Sequence, residues 1–402
     1  MTVTRRALLA TTLAAPAIAQ PLRRVRLGVL SSFSGEYADG AGEGSVVAAR
    51  LAAADAAPPG TEVEILQADM QDKPDIGATI ARTWFDRDAV DAVIDVPNSS
   101  IALAVATVAQ DRNKVALLSG PGLAAISGAQ CGPNHLQWTY DTRALANVTA
   151  RAVAAEGGDT WFFITADYSF GHGLEADTAR VLEGQGGRVL GRTTFPFPNT
   201  TDFSAPLLQA QNSGAAVIGL ACTGNNFSNL VKQAAEFGLA RARPGRPPQR
   251  LAALICLETN VRAIGLADAQ GLLLAAPFYW DMNDRTRAFA ARFAPLFRGA
   301  PPTWIQAGAY SATLHYLRTL GTLPPDRWND GAATIAAMKA LPPEDPLLGP
   351  GLIRPNGSVA HAMHLFAVKS PAESRHPWDI YHHRRTIPAL DAFGPPDPAC
   401  RL

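Results

Sequence analysis

The chain has 402 residues, 47% of them hydrophobic and 17% charged, and its 35 Lys and Arg balance 35 Asp and Glu to no net charge. That length exceeds one compact core and suits two lobes of ordinary size. With no basic excess and no Lys/Arg run there is no polyanion footprint, which argues against nucleic acid as a partner.

At the N-terminus, Thr4-Arg5-Arg6 is a positive start, Ala7 to Ala15 an apolar run, and Ala17-Ile18-Ala19 the small-x-small pattern of a signal peptidase site. An export signal over residues 1–19 and a mature start at Gln20 are expected. The run is too short to cross roughly 30 Å of hydrocarbon. The paired arginines admit a twin-arginine signal, and the hydrophobic residues behind them fit the ordinary Sec route. The expected compartment is therefore the periplasm, an oxidising one.

From Val25 onward, short aliphatic runs alternate with Ala-rich segments at helical spacing. Strands are expected at Val25 to Ser31, Glu62 to Ala68, Ala92 to Val96, Val115 to Ser119, Thr160 to Thr165, Arg188 to Thr194, Ala216 to Ala221 and Leu251 to Cys256. Helices are expected at Ala41 to Ala54, Asp75 to Arg87, Ile101 to Arg112, Ala144 to Glu156, Gly173 to Gln185, Phe203 to Asn212 and Ser228 to Phe237. Such alternation builds parallel sheets covered by helices on both faces. The series falls into two halves, the second opening at Trp161, so the expected fold is α/β with two doubly wound parallel-sheet lobes. Arg241 to Gln249 reads as a surface loop. Helices at Arg285 to Phe297, Gln306 to Leu320 and Gly331 to Leu341 follow, then a hairpin from Gly351 to Val368 turning at Gly357. The expected division is residues 22–140 with about 277–350 in lobe 1, 141–276 with about 351–387 in lobe 2, and a tail at 388–402.

The four cysteines lack the short paired spacing of a zinc site. Cys131 and Cys400 both lie in Pro/Gly-rich irregular sequence and are a candidate disulfide tying down the tail. Cys222 and Cys256 end apolar runs and read first as buried free thiols. Gly40-x-Gly42-x-Gly44 misses the dinucleotide spacing, so no cofactor is expected. His382-His383, with His376 and His361, lacks acids or cysteines at ligand spacing, so no metal is expected.

Doubly wound sheets bind ligands outside the carboxyl ends of their strands. Two successive strand ends carry similar chemistry: Pro97-Asn98-Ser99-Ser100 and Ser119-Gly120-Pro121-Gly122. Ser99, Ser100 and Ser119 offer hydroxyls, and free N–H groups at a helix start suit a carboxylate. The glycines Gly120 and Gly122 admit close approach; ordinary N-capping by Ser99 or Ser100 is the alternative. Tyr37 and Asp39 lie in the first strand-to-helix loop, where Asp39 either reaches the cleft or caps the next helix. Phe278-Tyr279-Trp280-Asp281, Trp138 and Tyr140 stand where the chain would cross between lobes, as ligand-stacking or core aromatics.

Leu27 to Gly44, Gln67 to Pro74, the two Ser/Gly loops, Ala166 to Gly173 and Asp202-Phe203-Ser204 follow one another as in leucine/isoleucine/valine-type periplasmic binding proteins. The chain resembles these solute receptors of ABC importers, including a branch with receptors for aromatic acids. The resemblance implies the type I periplasmic-binding fold with a multi-strand hinge, a small carboxylate ligand, and ABC permease membrane subunits as partners. It places the carboxylate on Ser99 or Ser100 and on Ser119 to Gly122, and makes Phe170 the aromatic cover from the second lobe. Glu258 matches the acid that meets a ligand ammonium. Thr223-Gly224-Asn225-Asn226 replaces an expected tyrosine, which brings Thr223 and Asn225 to the site and favours an aromatic or other apolar acid over a branched-chain amino acid.

No G-x-S-x-G elbow, H-E-x-x-H or paired strand-end acids point to an enzyme. The expectation is a monomeric binding protein that closes about its hinge. A ligand sensor docking to a signalling partner is the alternative, and an enzyme ranks below both.

Overall fold

The computed structural model describes residues 23–240 and 248–402. The export signal and most of the 241–249 loop expected from sequence lie outside the described residues.

Two parallel sheets organise the chain. The first contains β1 (Arg23–Ser31), β2 (Thr61–Asp69), β3 (Ala92–Asp95), β4 (Val115–Leu118) and β5 (His135–Gln137) in the order β2-β1-β3-β4-β5. Three helices make the crossovers: α1 (Gly42–Ala56), α2 (Pro74–Asp86) and α3 (Ser99–Asp111). β3 and β4 are buried at every position, as central strands covered on both faces must be. Edge strand β2 has no buried residue.

The second sheet follows α4 (Thr142–Ala155). It contains β6 (Thr160–Ala166), β7 (Arg188–Phe195), β8 (Val217–Ala221) and β9 (Arg250–Ala253), ordered β7-β6-β8-β9 and likewise parallel. Between these strands run α5 (Ser169–Glu183), α6 (Ser204–Asn212) and α7 (Gly224–Glu236); α8 (Glu258–Ile264) and α9 (Leu266–Ala269) lead to β10 (Leu273–Ala276).

The chain then returns to the first lobe through α10 (Asp284–Phe293), α11 (Trp304–Leu320) and α12 (Gly331–Ala340). α11 is buried at nearly every residue because Gly308 and neighbouring alanines permit close packing; a Cβ at Gly308 would lie 2.0 Å from Thr139 Oγ1. The hairpin expected at 351–368 divides: β11 (Gly351–Ile353) pairs with β12 (Val359–His361), whereas β13 (Met363–Val368) joins β10 and β14 (Tyr381–Ile387) in a separate antiparallel sheet. Ser358 bridges to Gln137 of β5, so the turn of this hairpin rests on the first sheet before the chain crosses back. β5, α8 and β14 are not among the elements expected from sequence. β5 and α8 are short, and β14 carries exposed His and Arg where a buried strand would be aliphatic.

The chain ends with α13 (Ala389–Phe393), packed on α4, and a tail held by an Arg143–Asp397 ion pair. Cys131 and Cys400 are disulfide-bonded with Cα atoms 5.6 Å apart, which ties the tail to the loop between β4 and β5. Cys222 and Cys256 are free and buried. Among the described residues no helix is long and apolar enough to cross a membrane.

Candidate functional site

The carboxyl ends of the two sheets face one another, and the loops that leave them meet. At the end of β3 the backbone turns left-handed at Asp95 (φ 81°) and Val96 (φ 54°), a costly conformation for side chains other than glycine. Asp95 is fully buried there. Ser31 donates to its Oδ2 at 2.8 Å, and its Oδ1 has no hydrogen-bond partner among the described residues. Burial pushes its carboxyl up to about 6, opposed by the hydroxyls of Ser31, Ser45 and Ser119. Gly120 lies directly over it: a Cβ at Gly120 would fall 2.6 Å from both Asp95 Oδ1 and Pro97 Cα.

Side-chain hydrogen bonds join the strand-end loops of the two lobes. Tyr37 donates to the Tyr168 hydroxyl at 3.0 Å, and the Ser100 and Ser169 hydroxyls are 2.8 Å apart. The Glu36 carboxylate accepts from the backbone and side-chain nitrogens of Asn226 at 3.1 and 2.8 Å. Aromatic rings line this junction. Tyr168 stacks on Phe197 with centroids 4.0 Å apart, and Tyr140 meets Trp304 edge-on at 4.6 Å. Gly122 separates two further rings, since a Cβ there would lie 2.2 Å from Tyr140 and 2.8 Å from Phe170.

Glu258 opens α8 at 1% exposure, and neither carboxyl oxygen has a hydrogen-bond partner among the described residues. Burial pushes its acid up to about 8, against the opposing pull of its own N–H and that of Trp304, both of which face it outside bonding geometry. The Cys256 thiol and the Tyr381 hydroxyl lie beside it, and that hydroxyl is also buried without a partner. An uncompensated buried acid is costly, so such a group signals a missing polar partner.

A family model described as periplasmic binding protein matches residues 24–374. The chain belongs to the periplasmic binding protein family. This periplasmic binding protein is 38% identical to a periplasmic binding protein from Burkholderia mallei, with 94% of this chain and 99% of the other covered and a TM-score of 0.88. It is also 38% identical to a branched chain amino acid ABC transporter periplasmic ligand-binding protein from Burkholderia xenovorans LB400, covering 92% and 97%, at a TM-score of 0.81. An ABC transporter solute binding protein from R. palustris, solved in complex with benzoate, shares the fold at 18% identity and a TM-score of 0.80, covering 94% and 100%. None of the curated proteins matches the chain. Solute binding is thus the role of the family, and the periplasm its compartment.

The residues singled out from sequence fall in several environments within this binding protein. Asn98, not Ser99 or Ser100, caps α3, accepting from the Ser100 and Ile101 N–H groups at 3.0 and 3.2 Å. Two N–H groups expected to be free are therefore occupied. Ser99 is buried and accepts from Leu123 N, and Gly120 N donates to Asp95 O. Ser119 is buried; its hydroxyl faces Asp95 but has no partner in bonding geometry among the described residues. Phe170 is buried against Gly122, and Tyr37 bridges the lobes. Asp39 is exposed and does not cap α1; the first-turn N–H of Gly42 goes to Ser31 instead. Thr223 is buried, while Asn225 is exposed and lines a narrow inter-lobe crevice with Asp39 and Glu36. Trp138 donates to Ser311 of α11 at 2.6 Å in the core of the first lobe. Of the histidines, His382 pairs with Glu373 at 3.1 Å, and no described group of three His, Cys, Asp or Glu residues is placed to hold a metal ion.

Sequence reasoning missed Glu36, Asp95, Tyr168, Ser169, Phe197 and Asn226. Each stands at or just beyond a strand end, so extending attention to every such loop would have included them.

Proposed function

We propose that this protein is the extracytoplasmic receptor of an ABC importer and captures a small carboxylate between its lobes by hinge closure, handing the closed form to the permease. The observation that carries this reading is the junction itself: two strand-end surfaces brought together around aromatic rings, with the polar oxygens of Glu258 and Ser119 buried and unpartnered. A ligand bridging the lobes supplies the differential contacts that favour closure. In this reading Ser99, Ser100, Ser119, Gly120 and Gly122 receive the carboxylate, Tyr37, Phe170 and Thr223 enclose its apolar body, and Glu258 meets its far end. Asn225 and Asp39 close the rim. The lobes comprise residues 22–140 with about 277–350, and 141–276 with about 351–387; the chain acts as a monomer after removal of residues 1–19 by the Sec or twin-arginine route.

An amine-free aromatic acid is favoured over an amino acid by the ring-lined junction and by an acid at Glu258 that burial keeps protonated near neutral pH. Structural relatives solved with benzoate and 4-hydroxybenzoate are consistent with that class. The test is a thermal-shift screen against amino acids and against aromatic or aliphatic acids lacking an amine. A ligand at 100 times its Kd adds about 2.7 kcal/mol of stability. Hits confined to amine-free acids support the reading, and hits confined to amino acids replace the ligand class. Silence in both panels rejects the carboxylate receptor and turns attention to a sensor or an enzyme.

A further inference from the structure

Helix α7 begins without a cap of its own. Thr223 occupies the N-cap position in extended conformation, yet its side chain makes no capping bond. The first N–H groups of a helix lack internal acceptors, and the helix dipole there favours negative charge. The missing acceptor comes from the opposite lobe: Glu36 Oε2 accepts from Asn226 N at 3.1 Å, while Oε1 accepts from Asn226 Nδ2 at 2.8 Å.

Both sides of this contact are held in place. On the first lobe, Glu36 N donates to Asp72 Oδ2 at 3.0 Å and Gly35 N to Ser32 Oγ at 3.1 Å, which presents the carboxylate outward. On the second, Asn226 Nδ2 also donates to Pro198 O at 2.8 Å. Gly224 has φ 65°, and a Cβ there would lie 2.5 Å from Glu36 Oε2 and 2.6 Å from Glu36 O, so glycine is what admits the loop.

We infer that Glu36 is a positioning residue, a helix cap supplied across the cleft, whose engagement holds the second lobe closed on the first whatever the ligand. The inference rests on the hinge-closure reading above. Opening the hinge exchanges this cap for water, and closing restores it.

Protonation tunes the latch. Burial raises the Glu36 acid from its ordinary 4.5 to about 7, opposed by the N–H groups of Asn226 and Asn225 and assisted by Asp72. The other titratable groups around it, Asp39 and Tyr37 of its own lobe and Tyr168 and Cys222 of the second, bring no cation. A carboxyl with a raised closed-state pKa favours closure in its protonated form. Where opening returns the acid toward its ordinary 4.5, closure is strongest below that value and weakens as pH rises through about 7.

The test needs no ligand, so its failure is separate from failure of the ligand assignment. Ser100→Cys with Ser169→Cys places two thiols where hydroxyls now meet across the cleft, and the rate of oxidant-driven cross-linking reports closure. Glu36→Ala in that background should slow cross-linking roughly 2- to 30-fold, the range for losing a helix cap. Glu36→Gln keeps one acceptor, for Asn226 N, and sets its NH2 against Asn226 Nδ2; it should cross-link faster than Glu36→Ala, and its rate relative to the Glu36 background should grow from pH 6 to pH 8. Circular dichroism establishes that both variants fold. An unchanged rate in Glu36→Ala, or a Glu36→Gln rate that drops as far as Glu36→Ala, overturns the inference.

Discussion

The hydroxyl of Tyr37, from the first lobe, donates to the hydroxyl of Tyr168, from the second, at 3.0 Å, and the Tyr168 ring stacks on Phe197 at 4.0 Å. Closure therefore joins polar and apolar contacts at one point. Removing one partner of a buried hydrogen bond costs about 1–3 kcal/mol, whereas removing both is nearly neutral. Tyr37→Phe should weaken capture of a ligand about tenfold, and adding Tyr168→Phe should recover most of that loss. Calorimetric titration of the four forms gives the coupling between the two hydroxyls; independent, additive losses would show that the bond does not contribute to closure.

Gly122 lies where a Cβ would meet both Tyr140 and Phe170. Gly122→Val should destabilise the closed form by about 1–3 kcal/mol through overpacking. If the second lobe opens as proposed, Phe170 leaves with it, and the ligand-induced thermal shift should suffer more than the melting temperature of the free protein. Equal losses in both would assign Gly122 to the core of the first lobe alone.

Glu258 carries an acid raised to about 8 in the fold against an ordinary 4.5. The folded chain therefore binds the proton more tightly than the unfolded one, and the stability this contributes is complete below about pH 4.5 and lost as pH rises through 8. Glu258→Gln should flatten the fall in melting temperature between pH 5 and pH 8. A wild-type profile already flat over that window would place a cation or ligand group beside the carboxylate.

Reducing the Cys131–Cys400 bond should cost about 2–4 kcal/mol, the common range for a disulfide. Thermal melts with and without reductant measure it. Arg143 with Asp397 and Arg354 with Gly394 O still hold the tail, so circular dichroism of the reduced protein should stay native. Burial drives the Cys222 and Cys256 thiols well above their usual range, and neither should react with a thiol reagent until the chain unfolds.

Central strands such as β3 and β4 were legible because a strand covered on both faces is a continuous apolar run. β14 was not, since only one of its residues is buried and its polar ones read as loop. The two Ser/Gly loops were found by the chemistry of strand ends, but which of their groups remain available was not. Asn98 takes two of the N–H groups by a local capping choice that Ser99 and Ser100 could equally have made from sequence. Asp39 and Asn225 are exposed where contact was expected, while Glu36 and Asn226, their near neighbours, make the bond.

Local periodicity and the order of strand-end motifs, both carried by residues close in the chain, were enough to determine the α/β class, the two lobes and the family. The inter-lobe junction was decided only by tertiary structure. Tyr37 and Tyr168 are 131 positions apart and Glu36 and Asn226 are 190 apart. No local pattern records such pairs, because each partner satisfies its own helix or loop preferences alone and acquires its role only when the two sheets are set face to face.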